Sequence, residues 1–521
     1  MPTPADPSVP AVPGRVSPGD GARPRPDHGR VQRTVIDGVP VFSAGGRERT
    51  TAALVFGVGL RDETFATIEV THLVEHLAMA ALPRTHLRCN AVTDVDSTAF
   101  FATGRPGAVA AFLEAVCRAL GDLPTDRLAA EAGVLQAESC ASGSSTVSVL
   151  WAARYGLTGP GLTVSAGPGP EYLSEETVRA HAARWFVRGN AALWCHGPLP
   201  ADLRLPLPAG PRPVRGLPVP RPQDGPVWTR TDVPGVGLLL ATDTPDDVAL
   251  AVGVQVAGER LRERARHARG LSYAVDSLTL DLAAGRREVA LVVDARSGRD
   301  AEVADLVWQT VAELCAEGPT REEVAHAVAG LEAELDEEDA VGSELADAAW
   351  CAATGLPLRT PARTLAAWRA VTPADGPAAR RRAAPTAGLA VPDTAVWDGP
   401  AGMARRPLCG IVPELPEGAL FRPPWHRRLL DPAARVALVV SDEGLAHRDA
   451  DGDVHGIPWS RVEALVPTGD GCGVTVVSRD LCTVLVHPAR FGRRALEAVV
   501  ERAGPALSAA HGTRETALLP A

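Results

Sequence analysis

Apolar and polar positions change period along the chain, and the changes mark its elements. Residues 31–44 alternate and turn at Asp37-Gly38, which predicts a hairpin. Residues 51–60 (TAALVFGVGL) are a β-rich apolar run punctuated by Gly57 and Gly59. Residues 71–81 (THLVEHLAMAA) take up helical spacing. Residues 90–102 read as a strand with polar turns. Residues 106–120 and 125–138 read as helices, the first begun by Pro106, the second with Thr125 and Asp126 as capping candidates. Residues 190–197 form a buried-looking strand.

The Pro-dense stretch 198–227 predicts an inter-domain linker, and with it a hinge. A second region, 228–390, begins with a strand at 236–241, a helix at 247–269 and strands at 271–280 and 289–295. Helical stretches follow around 301–316 and 320–350. This order echoes the first half and predicts an internal duplication. Residues 380–400 are rich in Ala, Pro and Arg and read as a second linker. Residues 404–507 differ: short strands at 436–441, 474–478 and 481–487, a turn at 449–452 and a helix at 491–503. They predict a small β-barrel-like module closed by a helix. Residues 1–30 are Pro-rich and expected to be disordered, and 508–521 to be a tail. The expected fold class is α+β, with two α/β-sandwich domains (31–197 and 228–390) and the small module at 404–507.

One helical segment carries chemistry. In His72-Leu73-Val74-Glu75-His76, positions i, i+3 and i+4 share a face. Two imidazoles one turn apart can bind one divalent metal, and the carboxylate between them can hold a water beside it. This is the inverted H-x-x-E-H order. A catalytic zinc takes three protein ligands. The downstream candidates are His86, Cys89, Asp94, Asp96, Glu131 and Glu138; a carboxylate on a separate helix favours Glu131 or Glu138.

Composition narrows the setting. The chain has 521 residues and a net charge of -11, and all 52 basic residues are Arg. An acidic chain without a basic block is a poor nucleic-acid binder. The nine cysteines show no C-x-x-C pairing, which reads as reduced thiols in the cytoplasm. No apolar run is long enough to span a bilayer, and no signal peptide opens the chain.

Several segments, in order, resemble the M16 family of zinc peptidases, over roughly residues 31–385. They are Asp37-Gly38-Val39-Pro40-Val41, then Gly59-Leu60-Arg61-Asp62-Glu63, the motif itself, Asn90-Ala91-Val92-Thr93 with Asp96-Ser97-Thr98-Ala99-Phe100, and Glu131 seven residues before Glu138. In the second half, Arg266 to Tyr273 (RHARGLSY) resembles the family's "R-x-x-x-G-L-x-Y". The resemblance implies Zn2+ on His72, His76 and Glu138, with Glu75 as the base and Glu131 in support. It implies that Arg266 and Tyr273 reach substrate, and that Asn90, Ala91 and Phe100 belong to a strand that pairs with a bound peptide. It implies a peptide substrate, such as a leader to be removed, and a homodimer or a heterodimer with another M16-type subunit. The alternative is a catalytically quiet subunit that scaffolds a partner. One departure is plain: the connection 81–90 is shorter than the family's, which bears on the substrate pocket. The last module resembles bacterial pleckstrin-homology-like domains, on ALVVSDEGL at 437–445 and the Ile457-Pro458-Trp459 segment.

Overall fold

Thr50–Phe56 and Gly235–Thr242 are buried over nearly their whole length, and each becomes an interior strand of a six-stranded sheet. The computed structural model describes residues 31–139, 145–244, 247–337, 339–430 and 434–511. The stretch 1–30, expected to be disordered, lies outside them.

The first sheet holds β1 (Gln32–Ile36), β2 (Val39–Ala44), β3 (Thr50–Phe56), β4 (Arg88–Thr93), β5 (Thr98–Gly104) and β6 (Ala191–His196), in the order β1-β2-β6-β3-β5-β4. The hairpin turns at Asp37 and Gly38, whose φ values of 50° and 84° are both positive, as a two-residue primed turn requires. The second sheet holds β7 (Val227–Thr231), β8 (Gly235–Thr242), β9 (Val275–Ala283), β10 (Arg286–Asp294), β11 (Gly388–Pro392) and β12 (Ala404–Arg405), in the order β12-β7-β11-β8-β10-β9. Over five strands the two sheets share order and direction. β2 and β6 pair in parallel, as do β7 and β11, and the remaining pairs among these five strands of each sheet are antiparallel; outside them, β12 pairs with β7 in parallel.

Each sheet is covered on both faces, which is why its central strands carry no polar alternation. On one face of the first sheet lie α1 (Val70–Ala80), α2 (Pro106–Gly121), α3 (Leu128–Ser139) and α5 (Glu175–Trp185), sharing a core with Leu54, Phe56 and Phe100. Its other face, with Ala53 and Val55, is covered by α9 (Ala340–Thr354), a helix of the second half. The second sheet repeats the arrangement. α6 (Val248–Leu261) and α7 (Asp300–Ala316) cover one face, and α4 (Thr146–Tyr155), from the first half, covers the other. A Cβ on Gly237 would lie 2.5 Å from Thr146 Cγ2, so only glycine lets α4 approach β8 this closely.

Three expectations are corrected. The stretch 198–227 has no regular secondary structure before β7, yet it is no free hinge. Leu203, Leu205 and Leu207 are buried in the first core, and Arg188 and Gly189 donate backbone N–H bonds to Pro208 and Gly210. It is a strap fixed along the first half. Residues 380–400 are not a linker: they contain β11, which lies between β7 and β8, and Arg380, which is buried and donates to the Leu314 carbonyl at 2.7 Å. The expected 247–269 helix is α-helical only to Leu261, then becomes a π-helix over Arg262–His267.

The C-terminal module contains a five-stranded sheet from residues 411–458 and a three-stranded sheet from residues 462–486. Among the described residues neither sheet closes on itself. Leu438, Ile457, Trp459 and Val476 share a core with Ala495 and Val499 of the last helix, Arg493–His511, which runs past the expected start of the tail at 508. The module seats on the first half. Ala464 and Val477 pack with Phe65, Ile68, Leu157 and Leu162, and Leu157 donates its N–H to the Arg479 carbonyl at 3.0 Å.

Arg154, on α4, is buried between the halves. Its guanidinium pairs with buried Glu288 of β10 at 3.1 Å and donates to the carbonyls of Leu239 and Thr386. The Tyr155 hydroxyl also donates to Glu288. Glu288→Ala leaves a buried cation without its anion and is expected to lower stability by roughly 3–5 kcal/mol in urea denaturation. A change below about 1 kcal/mol would show that the pair does not hold the halves together.

Candidate metal centre

The motif helix α1 starts where its backbone needs help. Glu69, just before it, sits in the left-handed region at φ 75°. The first N–H groups of a helix have no partner within it. Glu63 supplies one: its carboxylate accepts from the N–H of Glu69 at 2.9 Å and of Thr71 at 2.8 Å. The preceding residues fix Glu63 in turn. A Cβ on Gly59 would fall 2.3 Å from the Asp94 carbonyl oxygen, so glycine is required there. Arg61 donates to the Leu282 carbonyl of the second half at 3.0 Å. At the other side of α1, the Thr71 hydroxyl lies 3.0 Å from His181 Nε2. Burial, ahead of the nearby Arg184, holds that imidazole down to about 3, so it is a neutral brace.

One turn further along, the two histidines present their rings edge to face, with centroids 4.7 Å apart. Glu138, on α3, brings its Oε2 within 3.9 Å of His72 Nε2 and 3.8 Å of His76 Nε2. The other ring nitrogens face carboxylates. His72 Nδ1 lies 3.0 Å from Glu69 Oε2, and His76 Nδ1 lies 3.5 Å from Glu131 Oε2. Glu131 is itself held by the Arg127 guanidinium, at 2.7 and 3.0 Å. A carboxylate behind each imidazole fixes its orientation and turns the opposite nitrogen toward a common point. Two imidazole nitrogens and one carboxylate are donors suited to Zn2+, with a position left for water. His72, His76 and Glu138 thus fit a divalent cation.

Glu75 is buried beside this point, its ligand-type oxygen within 4.8 Å of both imidazoles. The Thr93 hydroxyl donates to its Oε2 at 2.8 Å. Burial pushes the Glu75 carboxyl upward, against the pull of His72 and Thr93. Burial lowers His72, but the Glu69 hydrogen bond and the surrounding carboxylates outweigh it and raise the imidazole overall.

β4 is the outer strand of its sheet, so one side of its backbone is unpaired within the sheet. Asn90 is exposed there, while Ala91 turns its side chain into the core. Phe100 is corrected as a substrate contact. It is fully buried, and β5 pairs with β3 on one side and β4 on the other. Arg266 and Tyr273 lie together, the guanidinium 5.1 Å from the ring centroid, and Tyr273 is 76% exposed. Among the described residues neither bonds to the histidine cluster. Sequence reasoning missed Glu63, Glu69, Thr93 and Arg127 as supports. The signals were present: Glu69 precedes His72 by three residues, and Arg127 precedes Glu131 by four, both helix-face spacings.

No family model and no curated protein matches this sequence. Solved structures do match in fold. A peptidase M16 inactive domain from Pseudomonas fluorescens superposes with a TM-score of 0.57 at 18% identity, covering 71% of this chain and 99% of that one. A protease from Helicobacter pylori gives 0.58 at 13% identity, over 70% and 99%. The periplasmic protease PqqL from Escherichia coli gives 0.57 at 14% identity, over 82% and 56%. The chain is therefore an α+β protein with mixed sheets like those of M16 peptidases. Because the matches include both proteases and an inactive domain, fold alone does not carry activity.

Burial pushes the Glu63 carboxyl up to about 8, against the pull of Thr71 and of the Glu69 N–H. Between the ordinary carboxylate range and pH 8 the folded chain therefore keeps a proton there that the unfolded chain has lost. Stability then falls as pH rises through that window. Glu63→Gln is expected to flatten this part of the stability–pH profile; equal slopes in the two proteins would place the titration elsewhere.

Proposed function

We propose that this chain is a zinc-dependent endopeptidase that cleaves extended peptides, of the kind removed in peptide processing. The observation that carries the reading is the convergence of His72, His76 and Glu138 beside buried Glu75. His72, His76 and Glu138 would hold the ion. Zn2+, when bound, acts as a Lewis acid that polarises a peptide carbonyl and acidifies water.

The protein's own groups do the rest. Thr93 fixes Oε2 of Glu75, leaving Oε1 to accept a proton from the attacking water and deliver it to the departing amine. Glu131, through His76, and Glu69, through His72, hold the imidazoles in place. An extended peptide adds to the free edge of β4 through main-chain bonds, with Asn90 facing it and Ala91 offering backbone only. Such recognition reads shape more than sequence. Arg266 and Tyr273 would meet the peptide from the second half of a second chain, so a dimer is part of the reading. The strand order common to the two sheets is what an internal duplication would leave. The proposal also includes a cytoplasmic setting and a pleckstrin-homology-like C-terminal module; the latter is supported by its two antiparallel sheets and terminal helix. Among the described residues, no helix is long and apolar enough to cross a membrane.

The competing reading, a quiet scaffold subunit, has the inactive M16 domain among the fold matches in its favour. Metal content and chelator-sensitive cleavage of a mixed peptide library separate the two. Glu75→Gln is expected to retain zinc and lower cleavage by at least about 100-fold, the scale of general-base catalysis. Turnover close to wild type in that variant would remove Glu75 as the base. Protein that binds no zinc and cuts no peptide, even with a partner chain, would favour the scaffold.

A further inference from the structure

A second group of metal-type donors lies far from the first in sequence. Cys409, His455 and Cys482 bring their ligand atoms within 4.8 Å of one another. We propose that these three side chains form a separate Zn2+ site within the C-terminal module, with Asp449 as the carboxylate that orients the imidazole.

The orientation is built in. Asp449 Oδ1 accepts three backbone N–H bonds, from Asp451 at 3.0 Å and from Gly452 and Asp453 at 2.9 Å each. Its Oδ2 is left to face His455 Nε2 at 3.2 Å. A proton on Nε2 then points at the carboxylate, and Nδ1 presents its lone pair to Cys409 Sγ, 3.1 Å away. A carboxylate behind a histidine, with a soft donor set in front, is a recurring zinc arrangement. A thiolate is the form of cysteine that binds metal. A cation would take the protons of both thiols, since metal binding displaces protons from thiols.

The three donors come from three places: Cys409 from the segment between β12 and the module, His455 from the five-stranded sheet, and Cys482 from a turn in the three-stranded sheet. That turn is strained. Leu481 has a φ of 69°, where a residue with a Cβ sits only under compulsion. A cation here would tie the module's two sheets to each other and to the incoming chain. Three protein donors leave one position of a tetrahedral ion to water or another ligand. The residues before both thiols, Leu408 and Leu481, line a cavity of about 420 Å³ at the seam with the first half, opposite Phe65 and Val164. The site therefore lies behind the surface on which the module seats.

The test uses the full chain, reduced, stripped by chelator and titrated with Co2+. Wild type is expected to develop thiolate-to-cobalt charge-transfer absorption. The Cys409→Ser/Cys482→Ser variant should lose it together with one equivalent of metal. His72→Ala/His76→Ala should keep it while losing the other equivalent. Asp449→Asn should keep the band with affinity weakened by about 10–100-fold. Reduced wild type that shows no such band overturns the proposal, whether or not the two thiols prove to be bridged by a disulfide before reduction. Wild type that develops the band but takes up only that one equivalent would count against the His72/His76 site only.

Discussion

Buried polar groups must each find a partner, and in the five residues from Gly59 to Glu63 each partner belongs to a different part of the molecule. Gly59 lets the loop at 94–96 lie against it. Arg61 reaches the second half through the Leu282 carbonyl. Asp62 takes Arg215 of the strap at 2.8 Å. Glu63 completes the start of the motif helix. These bonds engage buried groups, so giving one up leaves a charge or N–H in the core without that partner. The position of the histidines is therefore set by the way the two halves and the strap meet, as much as by the helix that carries them.

Much of this was legible. The motif's helix and shared face follow from its spacing, and the primed turn at Asp37-Gly38 follows from residue type. Glu131 and Glu138, seven residues apart, do lie on one face and both reach histidines. What escaped was non-local. Leu203, Leu205 and Leu207 alternate as a buried strand would, but the prolines in and around them point to a linker. β11 is five residues inside an Ala/Pro/Arg-rich stretch, and its central place depends on neighbours far away in sequence. The apolar pattern of Phe100 was visible; that β5 would have strands on both sides was not. Cys409, His455 and Cys482 share no spacing at all, and only the pairing of the module's strands brings them together.

The seat of the C-terminal module adds a mechanical link. Phe65 and Ile68, which receive Ala464 and Val477, lie on the segment that leads into the motif helix. That segment is short and has no sheet partners of its own. Whatever firms or loosens the module bears on the turn from which α1 departs, and so on the only covalent approach to the histidines from the N-terminal side.

The reciprocal placement of α4 and α9 has a consequence for the order of events during synthesis. The ribosome completes the first sheet long before it makes α9, the helix that covers Ala53 and Val55. α4, made early, has no sheet to rest on until β8, β10 and β11 exist. A nascent chain carrying only the first half thus displays one apolar sheet face and one apolar helix, each waiting for a partner from the second. The two halves are not beads that could be grown or exchanged separately. Until the second half is made, those two surfaces lack the partners that the folded chain gives them.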